Sequence, residues 1–210
     1  GETIDTSAIQ TAIDTMSSLG GGTVFLPVGI YRVKNLQLKS NVRLVGSGKG
    51  TVLKLTNDAA EFDHVLICGG SSSLACNHAG VFDLKIDGNR TTLETIMGST
   101  AEAQMHGIKI ASYVNDLRIS NVWFDNSRGD GIWCTRHGFF TKNDYPTHIM
   151  IDNCYFSNIR RQDIAIIHGY DITITDCHGT GTLDIEPEIN QGETPDVCRR
   201  ISIKGGSFNL

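Results

Sequence analysis

Three acidic residues in the C-terminal half of the chain could perform acid–base chemistry. Asp163 adjoins the apolar segment 164–168, and Asp184 and Glu186 lie in a similar segment, 183–186. If Asp163 and Asp184 occupy matching positions on neighbouring parallel strands, they lie ~4.8 Å apart, and Asp184 and Glu186, two residues apart on one strand, lie ~6.5 Å apart. Glycoside hydrolysis uses two carboxylates about 5–5.5 Å apart for retention and about 6.5–9.5 Å apart for inversion. The spacing therefore predicts a catalytic carboxylate triangle.

The triangle depends on an alignment that points Ile132, Ile164 and Ile185 into the core. Repulsion among three acids raises the pKa of at least one of them toward the range of a general acid. Solvated surface acids and a structural Ca²⁺ site are the alternatives, and no other cofactor is predicted. The alignment gives three outward columns, namely Gly131/Asp163/Asp184, Trp133/Ala165/Glu186 and Thr135/Ile167/Glu188.

Basic residues beside these acids could bind an acidic sugar. Arg160 and Arg161 precede Asp163 on the same segment. An arginine can hold a carboxylate or sulfate in a forked contact, and in a lyase an Arg or Lys can abstract the proton. The alternative for the arginines is a salt bridge to Asp184 or Asp130.

Other residues complete the predicted substrate site. His168 ends the same segment and could act as an acid or base, although a lone histidine can equally be structural. Trp133 and Glu188 are also predicted to contact substrate. The insertions 136–147 and 189–199 are natural groove walls, because loops carry specificity. A second outward column offers rings for stacking sugars or for a subunit interface, namely Trp123/Tyr155/His178.

These residues are positioned by a repeat. Aliphatic residues alternate with polar ones, as in half-buried strands, in segments 116–126, 148–158, 171–181 and 200–210, with a looser copy at 80–89. A break follows at Asn121, Asn153 and Asp176, residue types that tolerate the left-handed turn conformation.

The period of this repeat predicts the fold. Leu117, Ile149, Ile172 and Ile201 recur at intervals of roughly 20 to 30 residues, the length of one solenoid coil. No stretch between the copies resembles the amphipathic helix of a βαβ crossover. An antiparallel sandwich is the alternative, but it does not explain why one residue type recurs at one offset. We predict an all-β fold, a right-handed single-stranded parallel β-helix.

The two ends of the chain differ. Residues 6–19 place Ile9, Ile13 and Met16 on one face, with Asp5 or Thr6 as N-cap and glycines 20–22 as the stop. A capping helix suits the open end of a solenoid. We expect one domain, with residues 1–22 as cap and 23–210 as coils, and expect the natural protein to continue past a C-terminus that shows no such cap.

Composition excludes several partners. The 210 residues carry a net charge of −5, which disfavours nucleic-acid duplexes and anionic membranes, although local arginines can still bind a polyanionic sugar. No run reaches the ~18 apolar residues of a membrane span. The 6 cysteines form no CxxC pair and are expected to be buried thiols, with a disulfide framework as the alternative. Cys154 and Cys177 occupy the inward position of Val122 and should be free.

A family resemblance supports this fold. The segments AIQTAI (8–13), GGGTVFLPVGIY (20–31) and NVRLVGSG (41–48) resemble the opening of the pectate-lyase-like superfamily. That group contains lyases, hydrolases, mannuronan epimerases and bacteriophage tailspike depolymerases. Residues 161–164 and 184–188 are similar to segments of its epimerase-like and phage members. The resemblance implies a β-helix that handles polysaccharide and leaves the reaction open.

The leading hypothesis is an endo-acting polysaccharide depolymerase, hydrolase or lyase, of the phage tailspike type. Asp163, Asp184 and Glu186 would supply acid and base or nucleophile, with Trp133 and Arg161 holding the sugar. The alternatives are a uronate epimerase on the same fold and a non-enzymatic adhesin or spike. Such a protein would be extracellular or virion-associated, with a homotrimer as the expected assembly of the full-length protein.

Overall fold

The chain winds into successive coils of short parallel strands. This is seen in a computed structural model, which describes residues 4–100, 103–136, 145–187 and 197–209. The strands are, in chain order, β1 (Gly22–Phe25), β2 (Gly29–Val33), β3 (Leu36–Leu38), β4 (Val42–Val45), β5 (Thr51–Leu55), β6 (Leu66–Cys68), β7 (Cys76–Asp87), β8 (Ile108–Ile110), β9 (Val114–Asp125), β10 (Ile132–Cys134), β11 (Thr147–Asp152), β12 (Tyr155–Ser157), β13 (Ile164–Ile166), β14 (Gly169–Thr175), β15 (His178–Gly179), β16 (Leu183–Ile185) and β17 (Cys198–Lys204).

Each complete coil contributes to three faces. An 11-stranded sheet bends into two of them, and a 6-stranded sheet forms the third. The first face contains β1, β4, β11, β14, β17 and the first halves of β7 and β9; the second contains β2, β5, β12, β15 and the second halves of β7 and β9. The third face runs in the order β3-β6-β8-β10-β13-β16. Every strand pairing is parallel among the described residues, so the predicted parallel β-helix is confirmed.

The bend between the first two faces is built from residues that tolerate positive φ. Asn121, Asn153 and Asp176 have φ values of 55°, 48° and 51°, and Asp83 has 54° in the preceding coil. The Asn153 amide donates to the Asn121 side-chain oxygen at 3.3 Å, so the turns of successive coils also bind each other. The predicted break after each repeat is therefore a left-handed turn.

The core consists of aliphatic columns. Ile119, Ile151, Ile174 and Ile203 are in register on the first face, as the repeat predicts. The first three are buried, while Ile203 is 47% exposed because no strand follows β17 on that face in the described part of the chain. Stacking in register removes each aliphatic side chain from water, which stabilises the fold by about 1.5–3 kcal/mol per residue.

Helix α1 (Thr6–Ser18) covers the first coil. Ile9 and Ile13 are buried and Met16 packs against the core, so the predicted face is confirmed. Asp5 is the N-cap, but its carboxylate accepts the Arg32 backbone N–H at 2.9 Å and caps no helix N–H. The cap thus joins the helix to β2.

A second helix departs from the sequence prediction. Helix α2 (Arg90–Met97) lies between β7 and β8, where no amphipathic helix was expected. Only Leu93 of this helix is buried, so its apolar pattern is too weak to read from the sequence. Because β7 and β8 belong to different sheets, α2 is an insertion in a coil and not a βαβ crossover.

The cysteines are free thiols. Cys154 and Cys177 lie one position before the paired residues Tyr155 and His178, stacked on Val122, as predicted. Both are buried, and burial raises the pKa of the Cys154 thiol well above its ordinary value. The hydrogen bond with Cys154 lowers the pKa of the Cys177 thiol, but both thiols are enclosed in the core and reach no ligand at the surface.

Candidate functional site

The third face carries a column of outward side chains that differ sharply in chemistry. Lys109, Trp133, Ala165 and Asp184 are in register on β8, β10, β13 and β16. The inward residues on either side of Lys109, Trp133 and Ala165 fill the core, so period-two alternation places this column on the outer face, and Asp184 continues it at the edge of the sheet. A polysaccharide lying parallel to the helix axis would cross one of these strands about every 4.8 Å.

Trp133 is the centre of a cluster of aromatic and basic groups. Its ring lies 4.5 Å from the His106 ring and 6.4 Å from the His64 ring, between centroids. The Lys109 ammonium lies 5.0 Å from the Trp133 ring centre, a cation–π distance. Among the described residues Lys109 forms no ion pair, so its amine is available to a ligand.

A ladder of hydrogen bonds links this cluster to the backbone of successive coils. His64 Nδ1 accepts the backbone N–H of His106 at 3.2 Å, and His106 Nδ1 accepts that of Asp130 at 2.9 Å. Asp130 Oδ1 in turn accepts the backbone N–H of Gln162 at 3.0 Å. Each side chain therefore binds the next coil at the turn that enters the third face. His106 and Asp130 are fully buried, which makes the turn a rigid platform.

The arginines differ in their contacts. Arg161 Nε lies 3.6 Å from Asp130 Oδ1, so one of the two predicted salt bridges is present. The Arg161 side chain is 23% exposed, so it can contact a ligand while it is paired with Asp130. Arg160 is exposed and forms no ion pair in the described ranges. Its backbone N–H donates to Ser127 O at 3.0 Å.

Burial changes the protonation of the basic groups. It lowers the pKa of Lys109 from its ordinary value, so a larger fraction of this amine is neutral. Burial, followed by the nearby His106 and Lys109, lowers the pKa of His64 to about 2. Burial also lowers the pKa of His106, against the opposing effect of Asp130. Both histidines are therefore neutral at physiological pH, in agreement with Nδ1 acting as an acceptor.

The predicted carboxylate columns are wrong in register. Leu183, not Ile185, pairs with Ile164, and Ile185 pairs with Ile166. Leu183 and Ile185 have the same phase of a period-two pattern, so alternation alone does not distinguish them, and the shorter turn before β16 shifts the register by two residues. Asp184 therefore stacks on Ala165 and Trp133, where Glu186 had been expected. Ile185 is 40% exposed at the edge of the sheet.

Asp163 does not face solvent. It is fully buried, and its Oδ2 accepts the Gly181 backbone N–H at 2.7 Å. A Cβ at Gly179 would lie within bonding distance of the same carboxylate, so the glycine leaves room for it. Burial raises the pKa of Asp163 to about 6. The structure thus separates Asp163 from the outward Asp184, and the triangle does not form.

The remaining predicted residues are dispersed. Glu186 is exposed beyond the end of β16, and Glu188 lies outside the described residues. His168 is buried, where its Nδ1 accepts the Val197 N–H at 3.0 Å and its ring lies 4.4 Å from that of Tyr145. Burial and then Arg136 lower the pKa of His168 to about 4. A structural role for His168 fits this geometry.

The second aromatic column is present on the second face. Trp123 and Tyr155 are in register with ring centroids 5.8 Å apart and planes 7° apart, and Tyr155 and His178 stack at 5.7 Å. The Lys49 ammonium lies 5.0 Å from the Trp123 ring centre. The column is thus a continuous stack along the helix axis, as its alignment predicted.

Sequence reasoning missed Lys109, His106 and His64. A signal for the histidines exists, because segments 64–68 (HVLIC) and 106–110 (HGIKI) both place a histidine two residues before the first residue of a short apolar strand. These two segments lie N-terminal to the four aligned repeats. Lys109 has no signal of its own, since a lysine on an outward strand position is common.

No group of three or more His, Cys, Asp or Glu side chains that could hold a metal ion occurs among the described residues. Two carboxylates near this cluster have partners. Asp130 Oδ1 lies 3.6 Å from Arg161 Nε, and Asp184 Oδ2 lies 3.5 Å from Gln162 Nε2. Neither helix in the described part of the chain is long and apolar enough to cross a membrane.

Parallel coils around an aliphatic core, with cations, an indole ring and a carboxylate along one outer face, define a parallel β-helix protein of the pectate-lyase-like class. The chain belongs to the family described as rhamnogalacturonase A/epimerase, pectate lyase-like, whose family model matches residues 1–192.

Three similar proteins illustrate the range of the family. Mannuronan C5-epimerase AlgE5 of Azotobacter vinelandii is 43% identical over 230 aligned positions, which cover 83% of this chain and 23% of that protein. Alginate lyase 7 of the same organism is 43% identical over 103 positions, covering 45% of this chain and 12% of that protein. The chain therefore spans less than a quarter of the length of these relatives.

The third is a solved structure. The tailspike protein gp49 of Acinetobacter baumannii bacteriophage Fri1, a capsular polysaccharide depolymerase, superimposes with a TM-score of 0.75 and 23% identity over 97% of this chain and 37% of that one. At this identity the likeness supports the fold alone.

Proposed function

We propose that this β-helix acts on an acidic polysaccharide and that its third face removes the proton at C5 of a uronate unit. One observation carries the proposal: the half-buried Lys109 amine, which has a lowered pKa and no ion pair in the described structure, lies beside Trp133. A base of this kind suits proton abstraction next to a carboxylate, the first step of both a lyase and an epimerase.

The surrounding residues fit the later steps. The C5 proton becomes acidic only when the neighbouring carboxylate is neutralised, and Arg161 and Arg160 are the cations available for a forked contact. Lys109 Nζ takes the C5 proton, and the electron pair moves into the carboxylate as an enolate. Expulsion of the O4 substituent then gives a lyase, whereas return of a proton from the other face gives an epimerase.

The similarity to a mannuronan epimerase and an alginate lyase supports a uronate as substrate. Those two names describe the two outcomes of the same proton abstraction. Whether this chain cleaves or epimerises depends on whether an acid reaches O4 or the opposite face of C5. The outward carboxylic acid nearest Trp133 along the column is Asp184, which makes it the candidate for that proton.

A hydrolase is the second candidate, and one observation favours it. Asp184 lies on the outward column, and Glu186 follows it one residue beyond the end of β16, where its backbone N–H still donates to Ile166 O at 3.0 Å. Residues two apart along a strand are ~6.5 Å apart, and inverting glycosidases place their carboxylates about 6.5–9.5 Å apart. Asp163 has no part in this pair because its carboxylate is enclosed.

Incubation with polymannuronate in D₂O tests the proposal. Deuterium at C5 without chain cleavage indicates epimerisation, and new unsaturated uronate ends, seen by their ultraviolet absorbance, indicate a lyase. Both results support proton abstraction. New reducing ends without unsaturation support the hydrolase, and binding without chemical change supports an adhesin. Parallel reactions with Ca²⁺ or a chelator determine whether a cation is required.

Variants identify the responsible residues. For proton abstraction we expect Lys109→Gln to abolish C5 exchange while Asp184→Asn and Glu186→Gln retain part of it. For hydrolysis the two carboxylate variants should each lower turnover by roughly 100-fold or more, the effect of a lost general acid or base. Arg161→Lys should chiefly weaken substrate binding, because the forked contact is lost while the charge stays.

We also propose where the protein acts and how it assembles. A polysaccharide-acting β-helix of this family would work outside the cell or on a virion. A homotrimer of the longer protein is also proposed, and light scattering of the full-length chain would measure it.

A further inference from the structure

A second row of polar side chains runs along the helix at the corner where the third face leads into the first. Asn77, Asn115, Thr147, Tyr170 and Arg199 occupy one register position on β7, β9, β11, β14 and β17. We call these five residues the corner strip. With neighbouring strands ~4.8 Å apart, the strip is roughly 19 Å long.

The strip borders an open cavity. The cavity has a volume of about 330 Å³, and its lining includes Asn77, Asn115 and Thr147 together with Tyr113 and Tyr145. The Asn77 side-chain amide forms no hydrogen bond within the described part of the chain, so both its donor and its acceptor are available. Asn115 Oδ1 and Thr147 Oγ1 lie 2.9 and 3.2 Å from His148 Nδ1, so the Asn77 side-chain amide and the Asn115 amide nitrogen, beside the two tyrosine rings, are the groups that can bond the hydroxyls of a ligand.

The other end of the strip is aromatic and cationic. The Tyr145 ring lies 4.8 Å from the Tyr170 ring at 52°, and the Arg199 guanidinium lies 6.0 Å from the Tyr170 ring centre. The neighbouring Arg200 is bound to the Asp171 carboxylate, whereas Arg199 is exposed and has no carboxylate partner among the described residues. Arg199 is therefore free to pair with an anion.

We propose that the corner strip binds an acidic polysaccharide chain lying parallel to the helix axis, outside the reacting unit. This rests on the proposed function for the class of ligand. Rings contact the apolar faces of sugars, amides bond their hydroxyls, and a forked arginine holds a carboxylate. One polar group per coil matches a polymer that repeats along the axis. The strip holds the polymer, while the Trp133 column holds the unit that reacts.

Long and short substrates distinguish binding at the corner strip from binding at the reacting site. We compare the parent with Tyr145→Ala/Arg199→Ala on long polymannuronate and on short oligouronates. The double variant should bind the polymer weaker by roughly tenfold or more, the loss of one charge-assisted hydrogen bond or more. Its kcat on the polymer and both constants on short oligomers should match those of the parent. Tyr145→Phe should retain most of the affinity because the ring remains.

A matched control is available on the first face. The Arg43 guanidinium lies 4.7 Å from the Phe82 ring centre, a similar contact away from the strip, so Arg43→Ala should bind both substrates as the parent does. An unchanged polymer affinity in the double variant overturns the inference and leaves the proposed function standing. A fall in kcat on short oligomers also overturns it, because the strip would then belong to the reacting site.

Direct binding keeps the test independent of turnover. Affinity electrophoresis in polymannuronate measures the parent and the double variant without any reaction. If the parent binds polymannuronate more tightly than the double variant but shows no C5 exchange, the result contradicts the proposed chemistry alone. A parent that binds no acidic polysaccharide contradicts the strip.

Discussion

The Asp163 carboxylate accepts a 2.7 Å hydrogen bond from the Gly181 backbone N–H, one coil further along the helix. Its second oxygen, Oδ1, is buried and has no hydrogen-bond partner among the residues that the structure describes. Burial raises the pKa of Asp163 to about 6, because the charged form loses its hydration. Asp163, which the repeat alignment predicted on the catalytic surface, is therefore part of the interior.

This relationship predicts how stability depends on pH. The pKa of Asp163 is about 6 in the folded chain and about 3.9 when unfolded, so the folded state binds the proton more tightly. The free energy of unfolding should therefore be highest below about pH 4 for this group and fall as pH rises through about 6. Asp163→Asn keeps an acceptor for Gly181 and should remove this loss, on the order of 3 kcal/mol.

Urea unfolding at pH 4 and pH 7 measures the effect. The variant should gain stability relative to the parent between the two values, while the outward Asp184→Asn control should follow the parent. Equal pH dependence in Asp163→Asn and the parent would show that the carboxylate is hydrated.

The Lys109 amine predicts a pH profile for the reaction. Because burial lowers the pKa of Lys109, turnover should rise with pH and reach half of its maximum below the pH at which an ordinary lysine loses its proton. Lys109→Gln should lower kcat by roughly 100-fold or more and leave the melting temperature unchanged. Lys204→Gln, which alters an exposed lysine on the first face, is the control. Parent-like turnover in Lys109→Gln would move the base elsewhere.

Asp130 predicts a large structural effect. Its Oδ1 accepts the Gln162 N–H and faces Arg161, and the residue is fully buried. Asp130→Ala leaves these groups without a partner, which should lower the free energy of unfolding by about 3–5 kcal/mol. The exposed pair of Asp116 with His78 supplies the contrast, since Asp116→Ala should cost about 1 kcal/mol or less. Denaturant titration of both variants compares them, and similar losses would contradict the ladder.

The stacked thiols predict a labelling pattern. Cys154 and Cys177 are free and buried, so iodoacetamide should modify neither in the folded protein and both after unfolding without reductant. Peptide mass spectrometry reads the result. A disulfide-linked peptide pair from the unfolded chain would contradict the core assignment, as would rapid labelling of the native protein.

The amino-acid sequence by itself determined the architecture. In-register isoleucines such as Ile119, Ile151 and Ile174, each followed by an Asn or Asp in a left-handed turn, follow from local rules of alternation and turn conformation. Every coil repeats these rules, so a local pattern becomes a global fold. The capping helix follows for the same reason, because the face of Ile9, Ile13 and Met16 needs only the helical period.

Only the tertiary structure decided which side chains meet on the third face. Leu183 and Ile185 fit period two equally well, and the length of the preceding turn, set by how one coil closes on the next, placed Leu183 over Ile164. That shift put Asp184 outward on the Trp133 column, and glycines in the next coil enclosed Asp163. Strand alternation is a property of neighbouring residues along the chain, whereas register between coils depends on the packing of loops whose length the repeat does not constrain.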